Sequence, residues 1–189
     1  MKKLAIFGSG AGSNAENICV YFNNSSDIKV VVICTNRKDA FIVERAKKLK
    51  IPMVFTSKTE LENFDDLAKI LEKYKVDYII LAGFLLKIPS KMLEKYQNKI
   101  INIHPSLLPK YGGKGMYGKN IYKAVLENKE VESGISIHFV NQNYDEGEII
   151  FQESFILSPD ESLNSLTTKV HELEQSLFPK IIEKTLFSL

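Results

Sequence analysis

The sequence predicts an α/β fold: a doubly wound, mostly parallel sheet with an antiparallel extension formed late in the chain. Three observations point there. Strand-length apolar runs rich in Val and Ile recur through the first half of the chain, continuous rather than alternating, as befits strands covered on both faces. Helical patterns separate them, and repeated strand–helix–strand units imply right-handed crossovers. After Lys110 the pattern changes to one helix followed by two neighbouring strand candidates.

In chain order, strands are expected at Leu4–Phe7, Val30–Cys34, Met53–Phe55, Tyr78–Leu81 and Ile100–Ile103. Helices are expected between them at Asn14–Phe22, Asp39–Leu49, Thr59–Tyr74 and Ser90–Tyr96. The third carries Leu61, Phe64, Leu67, Ala68 and Leu71, the three–four spacing of a helix with one apolar face. Tyr111-Gly112-Gly113-Lys114-Gly115 is a glycine-rich connection to a helix over Asn120–Asn128. Gly134–Val140 and Glu148–Leu157 then read as strands that pair antiparallel at the sheet edge. Ser158-Pro159-Asp160-Glu161 has the marks of a helix start: a Ser cap, Pro at the first position and Glu three residues after the cap. Pro179 is expected to bend or break the terminal helix.

The chain has 189 residues, of which 44% are hydrophobic and 25% charged, the balance of one globular domain spanning residues 1–189. A net charge of +2 gives no support for a nucleic-acid or anionic-membrane surface. Cys19 and Cys34 are too few for a disulfide framework and lack zinc-ligand spacing, so they read as buried small hydrophobes in a reduced, cytoplasmic protein. Lys2-Lys3 precedes an apolar stretch too short for a signal peptide, and Gly8-Ser9-Gly10 ends it. The longest apolar run, Tyr78 to Leu86, is about half a membrane span. Neither export nor membrane insertion is expected.

Three constellations carry chemistry. Gly8-Ser9-Gly10-Ala11-Gly12-Ser13-Asn14 lies between the first strand and the first helix, where unpaired backbone donors and the helix dipole favour an anion. It is neither a dinucleotide fingerprint, because position 13 is Ser and the second strand ends in Cys34-Thr35, nor a P-loop. A tight turn with a Ser13-x-x-Glu16 capping box would also account for it. Asn102 and His104 lie two apart at the end of a strand, so they share a face at the carboxyl end of a parallel sheet, where ligands bind in this architecture. A polar pair there is costly unless satisfied or used. Asn143-Tyr144-Asp145-Glu146-Gly147-Glu148 reads as a solvated turn, unless the fold brings Asp145 to His104, where a carboxylate would orient the ring and favour the imidazolium. His138, on one strand face with Ser136 and Val140, reads as structural. His171 and Glu174 form a surface pair or line a pocket. Lys47-Lys48-Leu49-Lys50 is a solvated helix end.

Taken together, GSGAGSN (residues 8–14), DYIILAGF (77–84), INIHPSLLPKYGG (101–113), SGISIHFV (133–140) with Asp145, and ELEQSLFP (172–179) resemble the folate-dependent formyltransferases, over nearly the whole chain. The short length and the loop GxGSN point to their glycinamide ribonucleotide branch. The resemblance implies a Rossmann-like formyltransferase fold as one domain over 1–189. It also implies transfer of the formyl group of 10-formyltetrahydrofolate, as co-substrate, to the amine of 5-phosphoribosylglycinamide in purine biosynthesis, with no metal. Asn102 would then steady the developing oxyanion, His104 would act as imidazolium and general acid, and Asp145 would hold the ring. Gly12, Ser13 and Asn14 would take the substrate phosphate, and Glu174 its ribose or amine end. Folate would meet Lys58, Leu85, Leu86, Lys87, Ile88, Asn102, Val140 and Asp145. Its partners would be these small molecules alone, with no nucleic acid or membrane, and the protein a monomer or homodimer.

Four departures from the family pattern stand out: Leu86 where some members carry Arg, Gly112 to Asn120 without the usual His, Glu146 after the aspartate, and His171. A formyltransferase acting on an amino-sugar nucleotide and a non-catalytic folate or nucleotide module are the alternatives. Relatives acting on initiator tRNA carry a further C-terminal domain, and formyltetrahydrofolate hydrolases an N-terminal one. Neither is expected here, since the sequence starts directly with its first strand and Ser158–Leu189 leaves no room for a further domain.

Overall fold

The computed structural model of the chain describes residues 1–188, which fall into two compact units, Met1–Asn102 and Ile103 onward. The first unit contains β1 (Lys2–Phe7), α1 (Ser13–Tyr21), β2 (Ile28–Thr35), α2 (Ile42–Lys48), β3 (Met53–Phe55), α3 (Lys58–Asn63), α4 (Asp65–Lys73), β4 (Tyr78–Leu81) and α5 (Ser90–Lys95). It closes with β5 (Ile100–His104), whose last two residues begin the second unit. Here β1 pairs in parallel with β2 and β4, β2 with β3, and β4 with β5. The continuous apolar runs have the cause expected of them: Leu4 to Phe7 and Ile79, Ile80 are wholly buried, as parallel strands covered on both faces require.

The second unit holds α6 (Lys119–Glu127), β6 (Glu132–Phe139), β7 (Ile149–Ile156) and α7 (Leu163–Ser188). β6 and β7 pair antiparallel from Glu132↔Ile156 to His138↔Ile149, with a register shift between Ile137 and His138. In strand order the sheet reads β3-β2-β1-β4-β5-β6-β7, a mixed seven-stranded sheet whose antiparallel part is the late pair. Among the described residues no helix is long and apolar enough to cross a membrane.

Four local expectations are corrected. The helix expected over Thr59–Tyr74 is two, α3 and α4, broken where Phe64 adopts φ 67. The break leaves Leu61, Phe64, Leu67 and Leu71 all buried, so the apolar spacing survives it. Ser158 does not cap the last helix: Glu161 reaches back to accept the Ser158 N–H at 3.1 Å in a turn, and Ser162 caps α7 by accepting the Ser165 N–H at 3.1 Å. Pro179 lies inside α7 without ending it. The Ser13–Glu16 capping box does not form either. Gly12 is the N-cap of α1 with no side-chain bond, and Glu16 pairs instead with Arg45 and with Lys48 at 3.6 Å.

Candidate active site

In the first unit, the turn after β1 is shaped by packing against α2. Gly12 has φ 75, and a Cβ there would meet the Ile42 side chain at 2.7 Å, so both conformation and space demand glycine. The turn's carbonyls are used outward: Gly10 accepts the Ile42 N–H at 3.2 Å and Ala11 accepts the Arg45 guanidinium at 3.0 Å. α1 starts at Ser13 behind the Gly12 cap, whose carbonyl accepts the Glu16 N–H at 2.9 Å, so the positive end of the helix dipole lies at this turn. Glu16, the one acid in that turn, is neutralised by Arg45 and Lys48, so it does not oppose an anion at the helix end.

At the end of β4, Leu85 is 46% exposed while Ile88 is buried in the core. The Leu85 N–H donates to Ser9 Oγ at 3.0 Å, tying this segment to the turn after β1. Lys58, the first residue of α3, is exposed and lies 3.7 Å from Glu62 of its own helix. Asn102 sits half-buried on β5, opposite Leu81 of β4.

The second unit holds the densest constellation. His104 is 4% exposed, and its Nε2 lies 2.8 Å from the Tyr111 carbonyl oxygen. A carbonyl only accepts, so Nε2 carries a hydrogen and Nδ1 is the nitrogen left for proton exchange. That Nδ1 faces Asp145 Oδ1 at 3.6 Å. The sequence could not show this contact; the loop between β6 and β7 makes it. Asn141 and Asn143 brace that loop by donating to the Glu146 carbonyl at 3.1 Å and its carboxylate at 2.7 Å, which gives Glu146 a structural task. Asp145 adopts φ 57, and its Oδ2 accepts the Gly113 N–H at 2.8 Å. Two residues on, a Cβ at Gly147 would fall 1.7 Å from the Phe139 carbonyl, so only glycine allows the return into β7.

His138 reads as structural from sequence and proves to belong to this cluster. Its Nδ1 lies 2.8 Å from the Phe139 carbonyl, and its Nε2 faces the same Asp145 Oδ1 at 3.7 Å. Burial above all pushes its pKa below the usual 6.5, which keeps it neutral at neutral pH. Ser136 and Gln152 carried no functional signal in the sequence, yet they seat the segment after His104. The buried Ser136 hydroxyl donates to the Ser106 carbonyl at 2.6 Å and accepts the Leu108 N–H at 2.9 Å. Gln152 donates to Ser136 Oγ at 2.7 Å and to the Leu108 carbonyl at 3.0 Å. On α7, Glu174 lies 3.5 Å from His171, and its charge adds to burial in raising the pKa of Tyr122. Val140 is half-buried just past β6. Burial pushes the Cys19 thiol up to about 12 and Cys34 higher still, so both are inert, as a buried small hydrophobe is. Among the described residues no cluster of three or more His, Cys, Asp or Glu is arranged to hold a metal ion.

The mostly parallel sheet with an antiparallel late pair is that of a formyl-group transferase, and residues 2–182 match the formyl transferase family model, so the chain belongs to that family. It is 38% identical to a chloroplastic phosphoribosylglycinamide formyltransferase of Arabidopsis thaliana, over 96% of this chain but 64% of that protein, less than two thirds of its length. It is 35% identical to the phosphoribosylglycinamide formyltransferase of Haemophilus influenzae, over 97% of this chain and 86% of the relative. Among solved structures, the phosphoribosylglycinamide formyltransferase of Bacillus halodurans superposes with a TM-score of 0.88 at 30% identity, over 98% of this chain and 95% of that one.

Proposed function

We propose that this chain is a phosphoribosylglycinamide formyltransferase, moving the formyl group of 10-formyltetrahydrofolate to the amine of 5-phosphoribosylglycinamide in purine biosynthesis. One observation carries the reading. His104 is fixed through Nε2, and its Nδ1 is aimed at the carboxylate of Asp145. The names of the relatives supply the substrates, and the family match, running unbroken over 2–182, supports a single domain over 1–189.

The amine nitrogen attacks the formyl carbon, a carbon–nitrogen bond forms, and negative charge develops on the formyl oxygen. Asn102 donates to that oxygen, a contribution worth roughly 3 kcal/mol of barrier. The bond to the folate nitrogen then breaks. His104 delivers a proton from Nδ1 to the departing nitrogen, while Asp145 receives, through water, the proton the amine gives up. The ring, its carbonyl anchor and the carboxylate are all held by the protein, so this step needs little reorganisation.

Gly12, Ser13 and Asn14 bind the substrate phosphate, which suits the positive end of the α1 dipole and the neutralised Glu16. Glu174 takes the ribose or amine end. Folate contacts Leu85, Leu86, Lys87, Ile88, Asn102, Val140 and Asp145, with Lys58 toward its glutamate tail. Leu85 is an exposed apolar side chain suited to a flat ring, whereas the buried Ile88 acts from behind. The protein works in the cytoplasm on small molecules, without nucleic acid or membrane, as a monomer or homodimer.

A formyl-acceptor assay with 10-formyltetrahydrofolate tests this by offering phosphoribosylglycinamide, an amino-sugar nucleotide and water in parallel. Formylation of phosphoribosylglycinamide, lost in His104→Ala while both ligands still bind, is the expected result. Turnover that survives His104→Ala, or preference for another acceptor, overturns the assignment.

A further inference from the structure

Tyr111 holds the ring through its backbone carbonyl, so whatever fixes Tyr111 also fixes His104. Tyr111 has φ 57, a left-handed conformation disfavoured for a residue with a side chain. Next come Gly112 and Gly113, the latter at φ 97, so the chain beyond Tyr111 lends little stiffness. Packing does not supply it either. The segment from Ser106 to Tyr111 walls a cavity of about 190 Å³ shared with Val125 and Ser133, and the Ser133 hydroxyl in that wall is buried without a hydrogen-bond partner. On that side the segment faces a cleft instead of packed side chains, so polar bonds take a larger share in setting its position.

One carboxylate supplies what packing lacks. Glu130, in the turn after α6, accepts the Lys110 ammonium at 2.8 Å on Oε2 and the Tyr111 hydroxyl at 2.8 Å on Oε1. Its side chain is 18% exposed, so both bonds are partly shielded from water. Two consecutive side chains thus converge on one group and pin the backbone between them, while the Lys110 carbonyl is held from the other side by Ser106 Oγ at 2.7 Å. We propose that Glu130 is a positioning residue that sets the orientation and tautomer of His104, through the Tyr111 side chain and its carbonyl bond to Nε2.

The inference rests on His104 being the catalytic ring, and it predicts a chain of effects that begins at residues in contact with neither substrate. Removing the carboxylate leaves the Tyr111 hydroxyl only its bond with Asn128 and lets the residue leave its left-handed conformation. The carbonyl then withdraws from Nε2, and the neutral ring no longer keeps its hydrogen there. Gly113, two residues on, carries the slack to Asp145, whose Oδ2 accepts its N–H at 2.8 Å.

The test compares the native enzyme with Glu130→Ala, Glu130→Gln and Tyr111→Phe. Each is read by steady-state kinetics and by nitrogen-15 NMR of the His104 ring. The expected result is a kcat lower by about tenfold or more in Glu130→Ala, with both KM values within about threefold, because the geometry of the reacting group changes and not substrate binding. In the same variant the neutral His104 ring, hydrogenated at Nε2 in the native protein, becomes a mixture of tautomers. Glu130→Gln, whose amide oxygen still accepts the Tyr111 hydroxyl, recovers most of both signals, and Tyr111→Phe reproduces the alanine variant. A folded Glu130→Ala with native kcat and native ring tautomer overturns the proposal. If that variant does not fold, native values in Tyr111→Phe overturn it equally. The tautomer is read without turnover, so it judges Glu130 even if His104→Ala shows the ring to be dispensable.

Discussion

Removing the Ser136 hydroxyl isolates the energetics of the loop that carries the carbonyl anchor of His104. Ser136 is wholly buried on β6, and its single oxygen makes three bonds. It donates to the Ser106 carbonyl at 2.6 Å, and it accepts from the Leu108 N–H at 2.9 Å and the Gln152 amide at 2.7 Å. In Ser136→Ala the Gln152 amide keeps its second bond, to the Leu108 carbonyl at 3.0 Å, so it is not stranded. The Ser106 carbonyl and the Leu108 N–H both lose this partner in a buried position. At about 1–3 kcal/mol for each stranded group, less what small shifts recover, the loss comes to about 2–4 kcal/mol. For a chain of this size that lowers Tm by about 4–16 °C. The volume change is one oxygen atom, so cavity formation adds little. Urea unfolding and calorimetry measure the stability, and turnover should fall as well, because the same loop leads to the Tyr111 carbonyl. A Ser136→Ala protein within about 0.5 kcal/mol of native stability would refute the reasoning, since it would mean the loop is seated by something other than these bonds.

Three further outcomes follow from the same structure. Burial holds the folded-state pKa of His138 below 6.5, so the unfolded chain takes up the proton first as pH falls. Stability is therefore full above pH 6.5 and declines below it. Unfolding of His138→Asn across that range should lack this part of the slope, and identical slopes in both proteins would exclude it. The bond from Lys169, then those from Ser165 and Ser158, hold the Glu161 carboxyl at about 2 instead of 4.5, so its contribution is present above pH 4.5 and lost as pH falls toward 2. Glu161→Gln should cost on the order of 1–3 kcal/mol at neutral pH, with the gap to native closing through that acid window. Gly147→Ala places a Cβ 1.7 Å from the Phe139 carbonyl, so the loop must shift and carry Asp145 with it; native kinetics in this variant would show that the loop yields without moving the carboxylate.

The parallel strands were legible because their signal is burial on both faces, which leaves unbroken runs such as Ile79–Leu81. Helix boundaries were less so, because the same residues can serve two purposes. Glu16 stands three after Ser13 as a capping box would have it, but Arg45 and Lys48 of another helix compete for its carboxylate and win. Glu161 stands three after Ser158, yet it closes a turn and binds Lys169, leaving the cap to Ser162. Phe64 keeps the apolar period across a left-handed break, so periodicity alone cannot see the interruption. Asp65 and Asp66 were the available cue, acids where a second helix N-terminus would favour them. At the site, Asn102 and His104 were readable from strand alternation, whereas the contact to Asp145 depends on a loop conformation fixed by Asn141, Asn143 and the space at Gly147.

His138 shows why a second ring beside one carboxylate need not blur the chemistry. Asp145 Oδ1 has an imidazole nitrogen at 3.6 Å from His104 and another at 3.7 Å from His138. Each ring gives its other nitrogen to a backbone carbonyl, at 2.8 Å in both cases. By geometry alone either ring could exchange a proton with the carboxylate. Burial lowers the pKa of His138 and keeps it neutral at neutral pH, so its contact with Asp145 is that of a neutral ring beside a carboxylate. Both rings therefore orient the same carboxylate, His104 from the end of β5 and His138 from β6.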